Sequence, residues 1–219
     1  MANPEHLALL KQGIAVLMAW RSRHQTVILD LRAANLRGLN LIAAELSHVD
    51  FQQADLREAN LTGMSAIAAN FSRADLSRAL LHRTNFQEAN LRQVNLSEAD
   101  LQLSHLQEID AIAAYCHRTN LKQVIAPAAH FHSAYLVRSN WVEAELSLSD
   151  FRWANLSQAN LTRANLRAAK LRGADLTGAN LEGANLQGAD LRGANLDQAK
   201  LTDANLEDVD LSQTNVARK

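Results

Sequence analysis

Ala184-Asn185-Leu186-Gln187-Gly188-Ala189-Asp190-Leu191-Arg192-Gly193 is one five-residue unit written twice. Stepping outward from Leu186 in fives, the phase holds from Leu31 to Val216. It makes 38 stops, of which 32 are Leu or Phe, and all five Phe of the chain (Phe51, Phe71, Phe86, Phe131, Phe151) fall in it. Two residues before each stop, 24 of 38 are Ala; the residue between is Asn or Asp at 27 of 38. A helix repeats its apolar residues near 3.6 and a strand near 2, so a period of five belongs to neither.

The period has a direct physical reading. The large apolar residue must be buried, and the small residue two places earlier must point inward with it. The other three positions are polar and face water. A chain that turns a corner once per five residues meets these demands, with successive coils stacked at about 4.8 Å. Asn and Asp suit corners because their side chains bond nearby backbone groups and tolerate turn conformations. Where a central residue is small, its inward neighbour is large: Met64 with Ala66, Ile109 with Ala111, Val124 with Ala126. Core volume is thus conserved within the unit.

The units Ala184–Gly188 and Ala189–Gly193 resemble the A(N/D)LXX motif of the pentapeptide-repeat family, and the resemblance runs over residues 29–218. It implies an all-β chain: a right-handed quadrilateral β-solenoid with four units per coil, so that residues 20 apart stack. The 38 sides make about nine and a half coils, a rod on the order of 45 Å long. On that register Phe51 and Phe71, and Phe131 and Phe151, are expected as vertical stacked pairs.

The ends of such a stack leave backbone and apolar surface uncovered. Residues 1–26 are expected to form an N-terminal helical cap on a single solenoid domain of residues 27–219. Asn3 is an N-cap and Pro4 a first helical residue, with Leu7, Leu10, Ile14 and Leu17 at helical spacing and Trp20 over the first coil. At the other end the repeat runs almost to the last residue. Leu201, Leu206, Leu211 and Val216 are therefore the candidate edge for a C-terminal homodimer.

Composition excludes several functions. The 22 Lys and Arg against 23 Asp and Glu give a net charge of −1, which supplies no pull toward nucleic acid or an anionic membrane. One cysteine, Cys116, excludes an internal disulfide framework and suits the cytoplasm. No nucleophile–base pair, Gly-rich phosphate loop or metal-ligand spacing is present, so no enzyme activity, cofactor or metal is expected. The reading is a non-catalytic protein-interaction scaffold or regulator in a bacterial cytoplasm.

The alternative is a DNA mimic that binds a topoisomerase, as family members protecting gyrase from quinolones do. Residues 182–210 favour it, with seven acids against Arg192 and Lys200. Yet a duplex of that length carries on the order of 26 charges, and here the acids are nearly matched by bases.

Residues 103–153 depart most from the unit, with apolar and aromatic residues at outward positions. Tyr115, Arg118, Tyr135, Val137, Arg138 and Trp153 form the candidate band for a protein partner, aromatics with Arg being the residue types that anchor interfaces.

Overall fold

A computed structural model of the chain describes residues 1–24, 26–211 and 213–215. From Asp30 onward the backbone repeats one local structure, a turn and a parallel β-bridge, every five residues. Each bridge joins residues 20 apart, from Asp30 with Asp50 to Asn195 with Asn215. Four five-residue sides therefore complete one coil of a β-solenoid. The central Leu and Phe and the small residue two before each are buried along the rod, from Leu29 to Leu196.

Phe51 stacks on Phe71 with centroids 4.7 Å apart, and Phe131 on Phe151 at 5.1 Å, as the register requires. Trp141 meets both Phe131 and Phe151 edge-on at 5.3 and 5.8 Å. Among the described residues, five buried hydroxyl residues occupy inward positions, and each hydroxyl donates to a backbone carbonyl; Thr84 reaches Leu61 at 2.9 Å and Ser149 reaches Ala126 at 2.8 Å. Buried polar groups are thereby satisfied. Cys116 is buried too, and burial pushes its thiol up to about 12, against a hydrogen bond from Thr119 that lowers it.

One unit shows why the coil holds. In Phe51–Asp55, the Phe51 and Gln53 amides donate to Asn70 and Ser72 in the next coil, and the Asp55 amide donates to Ala34 in the coil before. The Ala54 amide closes the turn onto the Phe51 carbonyl at 2.9 Å, and the Gln52 amide donates to Asp50 Oδ1 at 3.0 Å. All five N–H groups have partners, the accounting a buried backbone demands.

The Asn or Asp thus serves as acceptor for the N–H two residues on. Every Asn or Asp at this position from Asp30 to Asn205 does so, Asn140 to Val142 and Asn160 to Thr162 among them. The expectation that these residues bond nearby backbone is met, but they do not carry the strained turn conformation. The residue two after the central one does, at φ between 52° and 70°, with Gln53 at 60° and Gly193 at 70° as examples. One positive φ at the third residue of a four-residue turn defines a type II turn, which favours Gly there.

The N-terminal segment forms two helices where one was expected: α1 (Pro4–Gln12) and α2 (Ile14–Arg21). Gly13 at φ 117° breaks them apart, a conformation that costs glycine little. Asn3 is the N-cap, its Oδ1 accepting from the Glu5 and His6 amides. Leu10 and Leu17 are buried, while Leu7, Ile14 and Trp20 pack partly buried against the first coil.

The cap also replaces the hydrogen bonds of a missing coil. Asp50 O accepts from Leu31 below; Asp30 O accepts instead from the Asn3 amide at 3.0 Å. The Asp30 amide donates to buried His6 Nδ1, also at 3.0 Å. The Arg21 guanidinium donates to the carbonyls of both Glu45 and Ser47, which otherwise face an absent coil.

Toward the other end, burial falls off among the described residues. Leu201, Leu206 and Leu211 remain half-buried, whereas Leu196 one side earlier is buried. Val216 lies outside the described residues.

Candidate functional site

A solenoid filled by its own side chains offers its outer faces for chemistry. Most of that surface is polar and self-compensating. Arg32 pairs with Asp30 at 2.8 Å, Arg152 with Asp150 at 2.6 Å and Arg192 with Asp190 at 2.7 Å. Hydrogen bonds from Arg32 hold the Asp30 carboxyl down at about 2. Where both partners reach water, as in Arg32–Asp30 and Arg192–Asp190, such pairs add little to stability because water and salt screen them, whereas Asp150 is buried.

The departure lies in the middle of the rod. Outward positions that carry Asn or Asp in most units hold His105, Tyr115, Ile125, His130 and Tyr135 here. None of these side chains accepts a hydrogen bond from the amide two residues on. After Ile125 that amide is missing altogether, because residue 127 is Pro; the lost acceptor and the lost donor coincide.

Tyr115 and Tyr135 are bridged neighbours in one column, 55% and 43% exposed. The next bridge in the column joins Tyr135 to Asn155. His117 tilts against the Tyr135 ring at 6.3 Å, and Val137 stands above His117. Arg118 and Arg138 share the column beside them; Arg138 Nε donates to Gln158 Oε1 at 2.7 Å. Arg37, Arg57 and Arg78 lie lower on this same face, paired with Glu58, Asp55 and Glu98. Among the described residues, Arg118 and Arg138 have no carboxylate within ion-pair distance.

Trp153 stands in the adjoining column, two residues before Asn155. It is 61% exposed. Its indole lies on Gly173, where an added Cβ would come within 2.4 Å of the ring. One ring face is thus fixed and the other open to water. The five band residues from Tyr115 to Arg138 share a face, with Trp153 at its corner.

His105, His117, His130 and His132 fall on three different faces. Among the described residues no group of three His, Cys, Asp or Glu gathers as metal ligands. No helix of the described residues is long and apolar enough to cross a membrane.

This geometry defines a class: β-solenoids of stacked five-residue sides. The family model for pentapeptide repeats (8 copies) matches residues 30–63, 69–107, 144–183 and 179–216, and the chain belongs to that family. The longest stretch the model leaves unmatched, 108–143, holds both tyrosines together with Arg118 and Arg138.

Among solved structures, the chain is similar to HetL of the cyanobacterium Nostoc sp. strain PCC 7120, a pentapeptide repeat protein involved in heterocyst differentiation regulation. Identity is 28%, over 86% of this chain and 93% of that one, with a TM-score of 0.45. It is also similar to QnrB1, a plasmid-mediated fluoroquinolone resistance protein, at 18% identity over 82% and 86% of the two chains, with a TM-score of 0.54. A third similar structure is a pentapeptide repeat protein of the Arabidopsis thaliana thylakoid lumen, 30% identical over 55% and 70%, with a TM-score of 0.39. Comparison with curated proteins finds no match.

Proposed function

We propose that the chain is a non-catalytic cytoplasmic scaffold that holds a protein partner against the face of Tyr115, Arg118, Tyr135, Val137 and Arg138, with Trp153 at its corner. The observation that carries this reading is the pair of bridged, exposed tyrosines beside two arginines without ion pairs. Aromatic and Arg side chains on a rigid support are the usual anchors of protein interfaces. In this reading the solenoid winds right-handed through about nine and a half coils, giving a stiff, straight support. The gyrase-binding DNA mimic is the weaker reading, since Arg side chains lie in ion pairs along the acidic columns.

The test is affinity capture with the full chain and with the double variant Tyr135→Ala, Arg138→Ala. A partner held by the parent is expected to be lost by the variant, with thermal unfolding of the rod unchanged within a few degrees. Equal capture by both proteins would reject the site.

A further inference from the structure

The face of Tyr115 and Tyr135 carries hydrogen-bond donors in excess. In an ordinary unit, an Asn or Asp carboxamide or carboxylate occupies the surface above the amide two residues on and accepts its hydrogen. Asn95 does this for Ser97 at 3.1 Å below the tyrosines, and Asn155 does it for Ser157 at 2.9 Å above them. In the two coils between, Tyr replaces Asn, and the amides of His117 and Val137 have no acceptor among the described residues. Beside these amides stand Arg118 and Arg138. From Tyr115 to Gln158 this face carries no Asp or Glu. Glu98, one coil below, is already taken by Arg78 at 2.9 Å.

We propose that this face recognises an acidic, extended segment of a protein partner. Its carboxylates pair with Arg118 and Arg138, and its backbone or side-chain oxygens accept from the His117 and Val137 amides. The inference rests on the interaction-scaffold reading and names the chemistry of the partner. The charge argument is complementarity: two guanidinium groups stand one coil apart, about 4.8 Å in rise; the carboxylate near Arg118 is Glu98, which is bonded to Arg78, and this face brings none to Arg138. The amide argument is satisfaction: a backbone donor covered by a partner costs free energy unless the partner brings an acceptor. A basic segment meets repulsion from the two guanidinium groups, and a purely apolar one would cover them without a counter-charge. The two rings give the segment flat apolar contact, which tyrosine supplies with little loss of side-chain freedom.

The variant Tyr115→Asn, Tyr135→Asn tests this without threatening the fold, because it restores the family's own residue and its acceptor. The probes are three fluorescein-labelled 12-residue peptides of alternating Thr with Glu, Gln or Lys, and a fluorescein-labelled 12-base-pair DNA duplex. Each is titrated by anisotropy against the full chain at low and moderate salt. The Glu peptide is expected to bind at least tenfold more tightly than the Gln or Lys peptide and the duplex, and to weaken as salt rises. Tyr115→Asn, Tyr135→Asn and, separately, Arg118→Gln, Arg138→Gln are expected to weaken it tenfold or more. The Asn variant should melt at or above the parent temperature.

Failure to bind the Glu peptide, or equal binding by the Asn variant, overturns the inference. Tighter binding of the Gln or Lys peptide that the Asn variant abolishes overturns the acidic class but leaves the face an interface. Equal or tighter binding of the duplex overturns the choice of a peptide.

Discussion

Trp141→Ala is expected to destabilise the rod by about 3–5 kcal/mol, the usual cost of emptying a large aromatic site in a core. Trp141 is fully buried, and its ring edges meet Phe131 and Phe151. Those two rings stack on each other, so they cannot both turn into the vacated space without losing that contact. The indole N–H donates to Ser139 Oγ at 2.7 Å, and the same hydroxyl donates to Leu136 O at 2.5 Å. Removing the indole therefore leaves no unpaired donor, and the loss is one of volume. Trp141→Phe should cost markedly less, since it keeps an apolar ring there. Urea unfolding followed by circular dichroism measures both. Because each coil contacts only its neighbours, the Ala variant should also broaden the transition, the middle of the rod opening before its ends. A loss below about 1 kcal/mol would mean that the site relaxes freely, against the close packing described.

Deleting residues 1–24 is expected to make the rod aggregate. The deletion uncovers Leu29, Leu31 and the rest of the first coil, which Leu10 and Leu17 help cover. It also removes the Asn3 amide, His6 Nδ1 and Arg21, which satisfy the backbone of Asp30, Glu45 and Ser47. An uncapped coil is an open edge of backbone groups beside apolar surface. Arg21→Ala is the milder form: two carbonyls lose their donor, at roughly 1–2 kcal/mol because both lie near water. Light scattering and thermal melting read these outcomes; a monomeric, equally stable truncation would show that the helices are not a cap. At the far end, where Leu201, Leu206 and Leu211 are half-buried, the proposed homodimer predicts that Leu206→Glu yields a monomer by sedimentation. An unchanged mass would refute it.

The solenoid is legible in the Leu and Phe phase because apolar burial dominates the stability of such a rod and recurs here without interruption. Steps of 20 place Phe51 over Phe71 and Tyr115 beside Tyr135. Residue propensity points to the wrong position for the turn. Asn and Asp are good turn formers, and that propensity hides their actual task of accepting an amide. A signal is present: all seven glycines after Gly13 fall two residues after a central Leu, where φ is positive. Pro127 after Ile125 is a second one, since a missing donor beside a missing acceptor shows what the Asn position does.

Gly13 reads in the sequence as weakening one helix, yet it ends one and begins another, because packing on the coil needs a change of direction there. The exposure of Trp153 follows from its position, but its seat on Gly173 depends on a contact between coils that spacing alone does not reveal. Nor does spacing alone tell which arginine takes a carboxylate: Glu98 stands one coil above Arg78 and one coil below Arg118, and it pairs with Arg78.

The central claim is that twenty residues advance the chain by one coil. Nitroxide pairs in one outward column measure this directly by dipolar spectroscopy. Buried Cys116, with its thiol pushed up to about 12, need not be replaced before labelling Cys introduced at Ala33, Gln53 or Ser133. The pair 53/133, four coils apart, should give a backbone separation of about 19 Å, and 33/133, five coils apart, about 24 Å, each coil adding about 4.8 Å. Separations that do not grow by that constant step, or that differ widely between pairs of equal coil number, would contradict it.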